Sequence, residues 1–120
     1  MQREEFDLAS RLSHLFMLTT DLNASRRLFV GLLGLEILMD DGGYLRVGGG
    51  GGFHLGIEEG ESEPGPGLEI VVAVDDVDRA YLALESGGIA VEAPPEEQPW
   101  GGRHFWFRDH DGRRLSVAGR

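Results

Sequence analysis

Apolar and polar positions along this chain follow one short series of periods, and the series occurs twice. Leu12 to Leu18 is apolar and aromatic enough for a strand. Thr19-Thr20-Asp21 then supplies helix-start chemistry, with Asp21 as the N-cap. From Leu22 to Leu33 the residues Leu28, Leu32 and Leu33 recur at helical spacing, and Gly34 is placed to end that helix in a left-handed turn. Leu35 to Met39, Tyr44 to Val47 and Phe53 to Ile57 read as strands, joined by Asp40-Asp41-Gly42-Gly43 and by the glycine run Gly48 to Gly52. Glu58 to Gly67, with four glutamates and two prolines, reads as a solvated connector. Beyond it come a strand at Leu68 to Val74, a cap at Asp76, a helix at Val77 to Ser86 closed by Gly87-Gly88, and a strand at Ile89 to Ala93. Pro94 to Gly102 reads as a loop, and Arg103 to Phe107 with Arg114 to Val117 as a hairpin turned by Asp109-His110-Asp111-Gly112.

An internal duplication should keep matching roles at a nearly constant offset, and this one does. His14 lies seven residues before the cap Asp21, and Glu69 seven before the cap Asp76. Gly34-Leu35 then matches Gly88-Ile89, and Phe53-His54-Leu55-Gly56 matches Leu115-Ser116-Val117-Ala118. The expected architecture is α+β: a single domain over residues 1–120, built of two tandem βαβββ modules at about 12–58 and 68–118 around the connector at 58–67. Its curved mixed sheets would enclose a cleft, with the helices on the outer face.

Alternation along each strand divides the two faces. Leu15 and Met17 share one face and His14, Phe16 and Leu18 the other; Ile70, Val72 and Val74 oppose Glu69, Val71 and Ala73. If a pseudo-twofold axis relates the modules, His14 corresponds to Glu69 and His54 to Ser116, four places ringing that axis. Three of them carry metal-ligand types. Two imidazoles and a carboxylate with open positions suit ferrous iron, and they are acceptable to manganese, nickel or zinc. Such an ion would bind two vicinal oxygens of a substrate or accept dioxygen.

Composition narrows the alternatives. Apolar residues at 41% and charged residues at 27% are those of a globular chain. The net charge of −10 repels phosphate backbones and argues against nucleic acid. All eleven basic residues are arginine, which excludes Schiff-base chemistry and a phosphate-loop lysine, and no cysteine is present for a thiolate. The glycine run is followed by no lysine and no helix, so it reads as a hairpin loop. No apolar run approaches the length of a membrane span and the start is polar, so a cytoplasmic protein is expected.

The order of signals resembles the vicinal oxygen chelate superfamily of glyoxalase I, bleomycin-resistance proteins, fosfomycin-resistance proteins and extradiol dioxygenases. Its carriers are His14-Leu-Phe-Met-Leu-Thr-Thr-Asp21, Leu33-Gly-Leu-Glu36, Val74-Asp-Asp76-Val-Asp78 with Gly87-Gly88, and Trp100-Gly-Gly-Arg-His-Phe-Trp-Phe-Arg-Asp109-His-Asp-Gly112. The resemblance implies metal ligands at His14, His54 and Glu69, with Glu69 also serving as the catalytic base of a lyase, isomerase or dioxygenase. It departs at Ser116, where the family's metal enzymes place glutamate, and at His110, where proline is common and which bears on turn stiffness. The alternative it implies is a metal-free, bleomycin-resistance-like protein that sequesters a small drug or metabolite. Phe16, Tyr44, Trp100 and Trp106 would line that cleft, with His104 and Ser116 as further contacts, while Phe53, Phe105 and Phe107 read as core. The net charge favours a cationic guest. In many relatives two chains complete the cleft, so a homodimer is implied. A dimer with a vestigial site is the third reading.

Overall fold

Two aspartates begin the two helices in the same way. Asp21 and Asp76 are in extended conformation and accept hydrogen bonds at 3.1 Å from the backbone N–H of Ala24 and of Arg79, three residues on. Each satisfies a donor that the first helical turn leaves orphaned, worth about 1 kcal/mol. In the computed structural model, which describes residues 9, 12–62, 65 and 68–120, helix α1 covers Leu22–Arg26 and α2 covers Val77–Ser86. The polar start at 1–8 and 10–11, and 63–64 and 66–67 of the connector, lie outside the described residues.

Past α1 the chain continues as a π-helical segment, Arg27–Leu32, in place of the regular helix expected through Leu33. The wider turn buries two consecutive residues, Leu28 and Phe29, and ends before Gly34, whose φ of 73° takes the left-handed form foreseen for it.

Among the described residues, nine strands form two sheets. In the first, β1 (His14–Thr19), β2 (Ile37–Asp40), β3 (Tyr44–Gly48) and β4 (His54–Glu59) lie in the order β1-β4-β3-β2. The second contains β5 (Ile70–Val74), β6 (Ala90–Val91), β7 (Glu96–Glu97), β8 (Arg103–Arg108) and β9 (Arg114–Gly119) in the order β5-β9-β8-β6, with β7 also on β8. β1 runs parallel to β4 and β5 parallel to β9, while the remaining pairs are antiparallel. Each module is therefore the expected βαβββ unit, with β7 added in a segment that reads as loop.

One side of each sheet packs on the helices. Met17, Leu45, Val47, Leu55 and Ile57 from the first sheet and Phe105, Phe107, Leu115 and Val117 from the second join Phe29, Val77 and Leu84 in one core cluster. Phe105 and Phe107 are core as expected, but Phe53 is half-buried and lines a cavity. The other side of each sheet is open, and the candidate residues stand there.

The modules are also tied by polar contacts. The Thr19 hydroxyl, fully buried, meets His110 Nε2 at 2.6 Å and donates to Asp111 at 2.7 Å. Arg113, paired with Asp109 at 2.7 Å, donates to the Leu18 carbonyl at 3.0 Å. The β8–β9 turn of module two is thereby clamped to the end of β1. His110 is thus a junction residue as well as a turn residue.

Candidate functional site

Strand register decides which side chains meet. In the first sheet His14 lies opposite His54 and Phe16 opposite Gly56, and Gly56 in turn faces Arg46. In the second sheet Val71 lies opposite Ser116, which faces Trp106. Counting from the two caps, Phe16 corresponds to Val71, and the strand beside it must bring Gly56 into correspondence with Ser116. His14 and Glu69 remain counterparts. His54 and Ser116 do not, because His54 corresponds to Arg114, two residues earlier. A two-residue slip keeps every side chain on its own face, so alternation could not expose it.

The two histidines are brought together. Their rings stack in parallel, 4.7 Å between centroids and 4° between planes. His14 is exposed and shares a 2.9 Å hydrogen bond with the Ser13 hydroxyl, whereas His54 is half-buried with its Nε2 buried and unpartnered.

Glu69 is placed elsewhere. It precedes β5 on the second sheet, and its two oxygens accept from Trp106 Nε1 at 2.9 Å and from the Ser116 hydroxyl at 3.1 Å, with Arg114 at 3.6 Å. Ser116 is fully buried beneath it. His54 and Glu69 both border a cavity of about 420 Å³ between the start of β4 and the edge strand β5, together with Gly48, Phe53 and Val71. Among the described residues, however, no three His, Asp or Glu side chains converge to hold a metal ion. The carboxylate of the expected triad is held against Trp106, Ser116 and Arg114 and does not join the two imidazoles, so the donor set as placed in one chain does not fit a divalent ion.

The aromatic candidates divide by what covers them. Trp106 has His104 stacked on it at 5.4 Å and the Arg114 guanidinium 5.0 Å over its ring. A planar guest must compete with both groups for the ring. Arg114 is itself held by Glu92 at 2.9 Å, and that hydrogen bond, chiefly, keeps the Glu92 carboxyl below its ordinary pKa. Trp100 stands edge-on to His104 at 5.7 Å and is 67% exposed, and Phe16 is 54% exposed, so both keep open surface. His104 Nδ1 is buried without a partner beside a smaller cavity of about 110 Å³ that includes Glu96 and Gln98.

Tyr44 lies over Gly56, where an added Cβ would collide with its hydroxyl, and that oxygen accepts from Arg46 Nε at 3.3 Å. Arg46, Gly56, Glu92 and Arg114 are the site residues that sequence reasoning passed over. Alternation with Tyr44 and with His54 would have placed Arg46 and Gly56 on this face.

A pair of βαβββ modules with side chains gathered on the open sheet faces defines a class of small-molecule clefts. The model of the Glyoxalase/Bleomycin resistance protein/Dioxygenase superfamily matches residues 11–117, and the chain belongs to that family. It resembles a solved protein of unknown function from Agrobacterium tumefaciens at 25% identity and a TM-score of 0.78, covering 98% of this chain and 99% of that one. A glyoxalase-related enzyme from Fulvimarina pelagi matches at 19% identity and a TM-score of 0.77 over 92% and 88% of the two chains. A fosfomycin resistance protein from Mesorhizobium loti matches at 22% and 0.70 over 92% of each. No curated protein matches the sequence.

Proposed function

We propose that this chain is a small-molecule-binding protein of the glyoxalase and bleomycin-resistance family whose cleft works without a resident metal. The engagement of Glu69 by Trp106 and Ser116 carries this reading. A ligand carboxylate must reach the ion beside the two imidazoles, and this one is held on the second sheet by Trp106, Ser116 and a nearby guanidinium, where among the described residues it forms no donor cluster with them. The guest would lie on the uncovered aromatics, Phe16 and Trp100, beside the fixed wall of Trp106.

A homodimer in the cytoplasm completes the proposal. Among the described residues β1 and β5 end their sheets with one edge unpaired, and Phe16 and Val71 on them, with Leu12 and Leu68 just before them, are exposed at 54%, 52%, 87% and 72%. A second copy related by a twofold axis would cover both edges at once. Light scattering that finds only monomer at micromolar concentration would remove this part. Among the described residues no helix is long and apolar enough to cross a membrane.

The stacked His14 and His54 favour a second reading, a metal-dependent lyase, isomerase or dioxygenase in which both imidazoles and Glu69 hold the ion. Metal analysis after incubation with iron, manganese, nickel and zinc separates the two. Binding without chemistry predicts no stoichiometric metal and no effect of His14→Ala. One tightly held ion per chain, lost in that variant, would overturn the metal-free proposal. Trp fluorescence with planar guests tests the cleft itself, with the response expected to vanish in Trp100→Phe.

A further inference from the structure

We propose that Arg46 recognises an anionic group, so that the guest of this cleft carries a carboxylate, phosphate or phosphonate. The inference rests on the small-molecule-binding reading above and reverses the cationic preference that the net charge of −10 suggests.

Carboxylates are abundant on this chain, and five of the nine arginines among the described residues have found one. Arg26 pairs with Asp40, Arg103 with Asp78, Arg108 and Arg114 with Glu92, and Arg113 with Asp109. Arg46 is half-buried on the open face of the first sheet, yet among the described residues it has no carboxylate partner. The nearest acid on that face by register is Glu58, opposite Tyr44, which is exposed and forms no ion pair with it. Withdrawing a guanidinium part-way from water without a counter-charge is unfavourable, and on an open sheet face such a group can take its partner from outside.

The geometry suits such a partner. The one hydrogen bond Arg46 makes uses Nε, at 3.3 Å from the Tyr44 oxygen, and its guanidinium carbon lies 5.6 Å from the Tyr44 ring centre. The group is therefore oriented by its own neighbour while both terminal nitrogens stay free to grip two anionic oxygens. Tyr44 accepts in that bond and keeps its hydroxyl proton to donate. Across Gly56, over which the Tyr44 hydroxyl lies, stands the exposed ring of Phe16 in the same cross-strand row. An anionic head on Arg46 thus leaves an apolar body lying toward Phe16. Arg114, on the open face of the second sheet, is already neutralised by Glu92 and Glu69.

The test measures binding of naphthoate, phenylphosphonate, inorganic phosphate and neutral naphthamide by calorimetry to native protein and to Arg46→Gln, Arg46→Lys and the surface control Arg79→Gln. The anions should bind native protein and the control alike and lose about 10- to 100-fold in Arg46→Gln, the range of a charge-assisted hydrogen bond. Arg46→Lys, which keeps the charge without the fork, should fall between. Naphthamide should bind more weakly and ignore the variants. A strong response to phosphate alone would assign the site to the phosphoryl head, and one to naphthoate with no phosphate binding to a carboxylate joined to an apolar body; both support an anion site at Arg46. Equal binding of naphthoate and naphthamide, or undiminished anion binding in a folded Arg46→Gln, would overturn the inference and leave the binding function standing. Failure of every probe, the amide included, would overturn both.

Discussion

Removing the Asp111 carboxylate should loosen the clamp between the modules, and the structure sets the size of the effect. The side chain is 2% exposed. It accepts from the Thr19 hydroxyl at 2.7 Å, from the Thr20 amide at 3.1 Å and from the Thr20 hydroxyl, and it lies 3.2 Å from His110 Nε2. Asp111→Ala would leave the fully buried Thr19 hydroxyl and the Thr20 amide short of their charged acceptor. Hydrogen bonds to a charged group contribute about 1.5–3 kcal/mol each. Thr19 retains His110 at 2.6 Å and the Asp21 carbonyl at 3.3 Å, which offsets part of the loss. We expect a net cost of about 3 kcal/mol for Asp111→Ala and about half that for Asp111→Asn, which keeps one acceptor oxygen. Burial pushes the Asp111 pKa up, but hydrogen bonds from Thr20 and Thr19 and the nearby His110 outweigh it and hold the carboxyl below its ordinary value. In the window between those two values the unfolded chain binds the proton and the native one does not. The stabilisation is therefore full above the ordinary carboxylate pKa of about 3.9 and drains as pH falls through the depressed native value. Urea unfolding followed by circular dichroism should show the gap between native protein and Asp111→Asn wide at neutral pH and closing in acid. A cost for Asp111→Ala below about 0.5 kcal/mol at neutral pH, within the range of an ordinary surface change, would refute the reasoning, as would a gap that does not change with pH.

Other substitutions probe the site and the core. Gly56→Ala should displace the Tyr44 ring and destabilise the protein by about 1–3 kcal/mol as an overpacked change does, read as a lower melting temperature; an unchanged melt would mean that the ring yields freely. Glu69→Gln replaces the charged acceptor of Trp106 Nε1 by a neutral one, so a shifted Trp emission and a loss near 1 kcal/mol are expected, and identical spectra would argue against the contact. Phe107→Ala, at a fully buried position, should cost about 3–5 kcal/mol in chemical denaturation, and a loss under about 1 kcal/mol would remove Phe107 from the core.

The helices were readable because their signals are local. Asp21 and Asp76 cap as their position predicts, and α2 spans Val77–Ser86 as expected. The strand expected at Ile89 to Ala93 shrinks to Ala90–Val91, and Glu96–Glu97 pairs with β8 inside what reads as a loop. The cause is Pro94-Pro95: proline offers no N–H to a ladder, so the chain detours and rejoins β8 two residues later. The π-helical turn after Arg26 has no sequence signature that periodicity could detect, since Leu28, Leu32 and Leu33 suit either helix. Trp106 was rightly placed on the open face, but what covers its ring depends on His104 and Arg114, and Arg114 reaches it only through the pairing of β8 with β9.

The least readable quantity was the register between strands far apart in sequence, and the chemistry turns on it. With the caps aligned, the central cross-strand rows are Phe16, Gly56 and Arg46 in one module and Val71, Ser116 and Trp106 in the other. The duplication thus set an apolar residue, a residue with little or no side chain, and a large planar group in matching order on both faces. Glycine and serine at the middle positions let neighbouring groups occupy the space, the Tyr44 hydroxyl above Gly56 and the Glu69 carboxylate above Ser116. In one module the result is an arginine with free terminal nitrogens; in the other it is a tryptophan in contact with a histidine and an arginine. One open sheet face is thus cationic and the other rigid and aromatic, and a guest with a charged head and an apolar body would prefer the first for its head. Exchanging Arg46 and Trp106 by the double change Arg46→Trp and Trp106→Arg would move the charge to the second sheet, where Glu92 and Glu69 already stand. Anion binding should then be lost even though composition and net charge are conserved, and a double variant that bound naphthoate as native protein does would show that overall charge, and not the row, selects the guest.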